Sequence, residues 1–290
     1  VSTPSVPSSS SSSAPRATSI SEHRLTWLDV FTAERLSGNQ LAVVHDADGV
    51  DDATMAAFAR ETRLSETSFV QTATAEGADY RNRIFMMSGE QGFAGHPSLG
   101  TAVAVALARG EERASYVQQT HAGLQPIDVE LRGDGVARAS MSLNVAEFGS
   151  ELEPVEVAAA VRLTCADLHP DLPPQVVSTG LTHILAPVVP GALGRVAADP
   201  AALKPLLDAH RATVVYLADI DEEEGTARAR SFFMDPDGAT EDPATGSAAG
   251  PLLAYLDQRL GLGALTVDHG VEMGRASRMD CLLAVGPVRI

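Results

Sequence analysis

Short apolar runs bounded by turn residues alternate along this chain with longer segments in which apolar residues recur at helical spacing. Residues 25–32 predict a strand and 41–44 a second, with Ser37-Gly38-Asn39 as the turn between them. Residues 51–63 place Met55, Phe58 and Ala59 on one side behind a capping Asp51 or Asp52, which predicts a helix. Strands are expected at 67–72 and 80–87. The stretch 99–109 then carries small and apolar residues on nearly every face. Such a helix must be buried all round, and a central position inside a curved sheet satisfies that.

The same order returns in the second half. Strands are predicted near 175–177 and at 183–189, a helix at 200–210, strands at 212–217 and 227–234, and a second apolar helix from about residue 247 to 260. Residues repeat as well as elements: Arg83-Ile-Phe85-Met-Met87 recurs as Arg230-Ser-Phe232-Phe-Met234, about 147 positions later. His96-Pro97-Ser98-Leu99-Gly100-Thr101-Ala102 aligns with Asp242-Pro243-Ala244-Thr245-Gly246-Ser247-Ala248. Two duplicated halves meet across a pseudo-twofold cleft, which brings both helix N-termini toward one ligand.

Composition narrows the choice of partner. A chain of 290 residues that is 44% hydrophobic can bury a large core, and two domains are expected. The net charge of −17 argues against nucleic acid, whose affinity depends on Lys and Arg displacing counterions. An anionic small molecule would have to be held by local donors such as helix N-termini. Cys165 and Cys281 form no CxxC or pairing pattern, which fits a reducing, cytoplasmic setting. Residues 1–21 are rich in Ser, Pro and Thr, lack the apolar core of a secretory signal, and are expected to form a disordered tail. No apolar run reaches the roughly 20 residues that cross a bilayer, so no membrane role is expected.

Three segments carry chemistry. Gly95-His96-Pro97-Ser98-Leu99-Gly100 opens the first buried helix with Pro in its first turn, where a missing N–H costs nothing. On its own His96 reads as a capping residue. No second His, Cys or carboxylate stands three or four positions away to build a metal site, so no metal is expected. Glu241-Asp242-Pro243-Ala244-Thr245-Gly246-Ser247-Ala248 is the counterpart in the other half, where small residues let the backbone approach a ligand closely. Leu64-Ser65-Glu66-Thr67 leads from a helix into a strand, and a glutamate there is by itself most often solvated or capping.

Together with Ser37-Gly38-Asn39-Gln40-Leu41-Ala42-Val43-Val44 and Gly270-Val271-Glu272-Met273-Gly274-Arg275-Ala276-Ser277, these segments resemble the signatures of the PhzF (phenazine biosynthesis) family, in consistent order from about residue 25 onward. The run 86–92 departs from the Asn-Glu-Leu-Pro sequence of that family. The resemblance implies an α+β, diaminopimelate-epimerase-like fold of two pseudo-symmetric domains, each a curved, barrel-like sheet around a central helix. Domain limits of 22–122 and 123–290 are expected, with the last strand able to pair back onto the first domain. The resemblance further implies a cofactor-independent isomerase that moves a proton within a small carboxylate-bearing metabolite; in phenazine producers this is trans-2,3-dihydro-3-hydroxyanthranilate. Carried over residue by residue, Glu66 is the general acid/base and His96 and Asp242 complete the catalytic set. Ser247 and Asn39 contact substrate, and Gly95 and Gly246 lend backbone amides. A homodimer is the implied assembly. Two rivals share the fold: an amino-acid epimerase or racemase, which in its two-thiol form needs a cysteine at each glycine turn where this chain has none, and a noncatalytic small-molecule-binding protein.

Overall fold

Alternation between inward and outward residues builds two sheets, each wrapped around one of the apolar helices. The computed structural model describes residues 22–283 and 288–290; the tail expected over residues 1–21 lies outside them. The first half runs β1 (Leu25–Val30), β2 (Asn39–Val44), α1 (Asp52–Thr62), β3 (Thr67–Gln71), β4 (Tyr80–Met86), β5 (Gly89–Gln91), α2 (Gly95–Arg109), β6 (Arg113–Thr120), β7 (Gly123–Arg132) and β8 (Val136–Met141). Its strands lie in the order β1-β2-β3-β4-β6-β7-β8, with β5 hairpinned onto β4. The second half runs β9 (Glu147–Glu151), α3 (Pro154–Ala160), β10 (Gln175–Ser178), β11 (Thr182–Val188), α4 (Pro200–His210), β12 (Val214–Asp221), β13 (Thr226–Asp235), β14 (Gly238–Asp242), α5 (Gly246–Leu260), β15 (Ala264–His269), β16 (Ser277–Leu283) and β17 (Val288–Arg289). Its order is β17-β16-β15-β13-β12-β11-β10-β9, with β14 on β13.

The duplication expected from sequence is present in the pairing itself. β2 with β3 and β4 with β6 are parallel, as are β11 with β12 and β13 with β15, and the intervening pairs are antiparallel in both halves. Even the outer-face ion pairs repeat. The Arg83 guanidinium grips Glu90 across the β4–β5 hairpin and lies 5.2 Å over Phe85, while Arg230 grips Glu241 across β13–β14 and lies 5.1 Å over Phe232.

α2 packs on β1, β2, β3, β4, β6, β7 and β8, and α5 packs on β10, β11, β15, β16 and β17. Each helix is therefore the core of its own half-barrel, as its all-round apolarity requires. One apolar cluster joins Tyr80, Leu99 and Tyr116 of the first half to Tyr216, Leu252 and Val267 of the second. On the outer faces, Met55 of α1 covers Phe69 and Phe85, and Val157 and Leu203 of α3 and α4 cover Ile184, Val215 and Phe232.

The expected boundary at 122/123 moves. β7 pairs with β6 and β8 with β7, so the first sheet continues to Met141 and the chain passes to the second sheet before Glu147. A tight Thr120–Gly123 reversal inside the first sheet stands where the sequence reading placed the division. Residues 288–290 return to the first half: the Met141 and Ile290 backbones exchange hydrogen bonds, and the Leu143 N–H donates to the Val288 carbonyl at 2.8 Å.

Candidate active site

The two central helices begin against one another. A Cβ on Gly95 would stand 3.1 Å from the Ser247 backbone nitrogen, and one on Gly246 only 2.6 Å from the Phe31 ring, so both positions need glycine for close approach. Neither helix has a side-chain cap, which leaves first-turn N–H groups of both free for an anionic ligand. Above this junction lies a cavity of about 190 Å³ between the halves. Glu66, His96, Asp242, Gly95, Gly246 and Ser247 all line it. Among the residues expected from sequence, only Asn39 stands behind the wall.

Asp242 is held by a ring of donors. Asn39 Nδ2 donates to its Oδ1 at 2.8 Å and to the Ala244 carbonyl at 3.0 Å, Ser65 Oγ donates to Oδ1 at 3.3 Å, and Thr245 Oγ1 donates to Oδ2 at 2.5 Å. Burial lifts the Asp242 carboxyl to about 6, with these donors and the Ala244 N–H pulling the other way. Glu66 has no such support. Its side chain is 14% exposed and its Oε2 has no hydrogen-bond partner. Burial pushes its pKa well above the usual carboxylate range, and the charges of Asp242 and Asp235 push further in the same direction. The donors around Asp242 favour its charged form, and no comparable donors favour that of Glu66.

His96 stands 3.7 Å from Glu66 through its Nε2. Burial pushes its pKa down to about 3, so the imidazole is neutral and the contact is not an ion pair. Its ring hydrogen-bonds the Gln40 backbone, while Nε2 has no partner and faces the carboxyl. Cys165 is exposed and Cys281 buried; neither lines the cavity. Among the described residues no group of three or more His, Cys, Asp and Glu side chains is placed to hold a metal ion, and no helix is long and apolar enough to cross a membrane.

Sequence reading missed several wall residues. Ser65 and Thr245 sit inside quoted motifs, and their hydroxyl-to-carboxylate geometry is the signal that would have marked them. His183 and Thr213, bonded to each other at 2.8 Å, and the apolar Leu181 belong to no motif, while Met86, Phe233 and Met234 lie in the repeated strand segments, which gave no sign that they face a cavity.

Register shows how the duplication breaks at the site. Thr67 faces Phe85 as Val215 faces Phe232, so the residues just before them, Glu66 and Val214, are equivalents, and both line the cavity. By the same register Gln91 matches Asp242, and His96 matches Ser247 at the second position of each helix, which replaces the alignment of His96 with Asp242 expected from sequence.

Two curved sheets, each around a helix, closing over an acidic cavity define a diaminopimelate-epimerase-like fold. The fold likeness extends to a hydroxyproline epimerase from Agrobacterium vitis, at a TM-score of 0.55 over 87% of this chain and 84% of that one, with 14% identity. Within that class the chain belongs to the PhzF family: the model of the phenazine biosynthesis-like proteins matches residues 28–287. It is 34% identical over 264 residues to the trans-2,3-dihydro-3-hydroxyanthranilate isomerase of Pseudomonas aeruginosa, covering 89% of each. A solved structure titled a predicted epimerase, also from Pseudomonas aeruginosa, superposes with a TM-score of 0.81 at 36% identity, over 92% of this chain and 94% of that one. The protein is an isomerase of this family.

Proposed function

We propose that the protein moves a proton between two carbons of a small carboxylate-bearing metabolite of the trans-2,3-dihydro-3-hydroxyanthranilate kind, with Glu66 as the single acid/base. The observation that carries this reading is the pairing of Glu66 with Val214: one wall of the cavity offers a carboxyl and the equivalent place on the other wall offers a hydrocarbon. A carboxyl whose pKa is raised toward neutrality is a stronger base than an ordinary carboxylate and can also return the proton. The free N–H groups at Gly95 and Gly246 receive the substrate carboxylate, and the ionised Asp242 orients its amino or hydroxyl group. His96 accepts from Glu66 or from substrate through Nε2. The relative named for trans-2,3-dihydro-3-hydroxyanthranilate supports this substrate class.

An epimerase working with two bases needs a second acid/base opposite the first, and Val214 supplies none. Turnover of trans-2,3-dihydro-3-hydroxyanthranilate in D2O separates the two mechanisms. A single carboxyl returns part of the original proton to product, whereas two independent bases give complete solvent exchange. No turnover of this compound, with turnover of a related cyclic carboxylate, would reassign the substrate and leave the base in place. For assembly we propose a homodimer, supported by the exposed edge strand β1 with Trp27 half out of the protein. Light scattering showing a monomer at micromolar concentration would overturn that.

A further inference from the structure

The segment 270–277 is the one sequence signature that the reaction leaves without a role. It lies in the second half, yet its main contacts are with the loop that carries Asn39 in the first. Arg275 donates from Nε to the Gly38 carbonyl at 2.8 Å, from Nη1 to the Leu36 carbonyl at 3.2 Å, and from Nη2 to the Ser37 carbonyl and to Asp29 Oδ1, both at 2.7 Å. In return the Gly38 N–H and Ser37 Oγ donate to the Ala276 carbonyl at 3.0 and 2.8 Å. The other side of the segment holds the Asp242 loop: His269 Nδ1 and Ser277 Oγ both bond the Pro243 carbonyl at 3.0 Å. Gly270 sits at φ +67°, where a Cβ would stand 2.5 Å from that same carbonyl.

We propose that Arg275 is a positioning residue: by fixing three consecutive carbonyls, Leu36 to Gly38, it sets the place of Asn39 and thereby the orientation of the Asp242 carboxylate that faces substrate. The contacts form a closed circuit between the halves, from Arg275 to the 36–38 loop, through Asn39 to Asp242, and through Pro243 back to the segment. The ion pair with Asp29, both side chains largely buried, is only one of the four contacts of the guanidinium. The planar fork that satisfies four acceptors is what a lysine cannot reproduce. Only the kinetic consequence depends on the proposed role of Asp242.

The chain contains three asparagines, Asn39, Asn82 and Asn144, so selective 15N-asparagine labelling of the intact protein gives three side-chain amide pairs. The Asn39 pair is assigned by its loss in Asn39→Ala. Asn82, bonded to Gln118 in the interior of the first sheet, serves as the internal control. In Arg275→Lys, which keeps the charge, and in Arg275→Gln, the Asn39 amide protons should exchange with solvent at least tenfold faster while Asn82 is unchanged. With trans-2,3-dihydro-3-hydroxyanthranilate as substrate, KM should rise more than kcat falls, and Arg275→Lys combined with Asn39→Ala should cost no more than Asn39→Ala alone. Unchanged exchange at Asn39, or equal acceleration at Asn39 and Asn82, overturns the proposal, the second outcome showing a purely stabilising contact. The exchange measurement needs no substrate. A protein that fails to turn over this compound but shows selective loosening of Asn39 therefore counts against the substrate assignment and not against Arg275.

Discussion

The two halves share their outer faces and differ at their inner ones. Arg83 with Glu90 and Phe85 repeats as Arg230 with Glu241 and Phe232, down to the ring under the guanidinium. At the cavity the pairs diverge: Glu66 against Val214, Gln91 against Asp242, His96 against Ser247. Scaffold positions tolerate little change because both sheets solve the same packing problem. Cavity positions have only to work once, and each half contributes what the other lacks. The first gives Glu66, whose pKa burial raises, and a neutral imidazole, and the second gives Asp242, whose charge raises the pKa of Glu66 further.

The largest effect should come from erasing that difference. Glu66→Val copies the second half into the first, and Glu66→Gln keeps the shape while removing the base. Both should lower kcat by at least about a hundredfold, the usual loss when an acid/base is removed. Calorimetry with substrate should show Glu66→Gln still binding, because in the proposed function the helix N-termini, and not Glu66, hold the carboxylate. Near-normal turnover in either variant would transfer the base to Asp242 or His96.

Asp242→Asn probes the coupling between halves. The Asp242 charge raises the pKa of Glu66, so its removal lowers that pKa. If the reaction begins with ionised Glu66, kcat/KM rises with pH through the pKa of Glu66, and in Asp242→Asn that rise should move to lower pH. The rate should also drop, by less than in Glu66→Gln. A pH profile that keeps its position would mean that the two acids titrate independently.

The smallest effect tests the shared scaffold. Glu241→Ala leaves Arg230 with only the Leu193 and Val196 carbonyls, whereas Glu90→Ala leaves Arg83 still paired with Asp52. Urea denaturation should show a loss of about 2 kcal/mol for the first, as for a hydrogen bond to a buried charge, and about 1 kcal/mol for the second. Equal losses would show that Asp52, at 81% side-chain exposure, contributes nothing.

What the sequence disclosed follows the same division between scaffold and cavity. The central helices were legible because a segment apolar on every side has only one kind of home, and the repeat was legible because Arg83-Ile-Phe85 and Arg230-Ser-Phe232 occupy equivalent strand positions. β1 was expected to reach Thr32 but ends at Val30, since Phe31 takes a left-handed conformation with φ 64° that an aromatic residue does not advertise. The β6–β8 meander gave no reading, because its inward positions include Gln118 and Thr120, buried in polar networks that hide the alternation. That omission also misplaced the domain boundary. At the site, Glu66, His96, Asp242, Gly95, Gly246 and Ser247 stood out through motif resemblance. Residues such as His183 and Thr213 reach the cavity through strand register alone, which no local pattern encodes.

The return of residues 288–290 to Met141 has a consequence for synthesis. Arg289 bonds Ser140 from 149 residues further along the chain, so the β8 end of the first half-barrel meets its partner only after nearly all of the second half has been made. Until then the nascent first half presents an open strand margin, and closing so long a loop is slow and entropically costly. A ribosome-bound chain stopped after residue 150 should therefore hold α2 and its sheet in a loosened, chaperone-binding form, and the compact state should be completed by β17, acting as a late-arriving clasp.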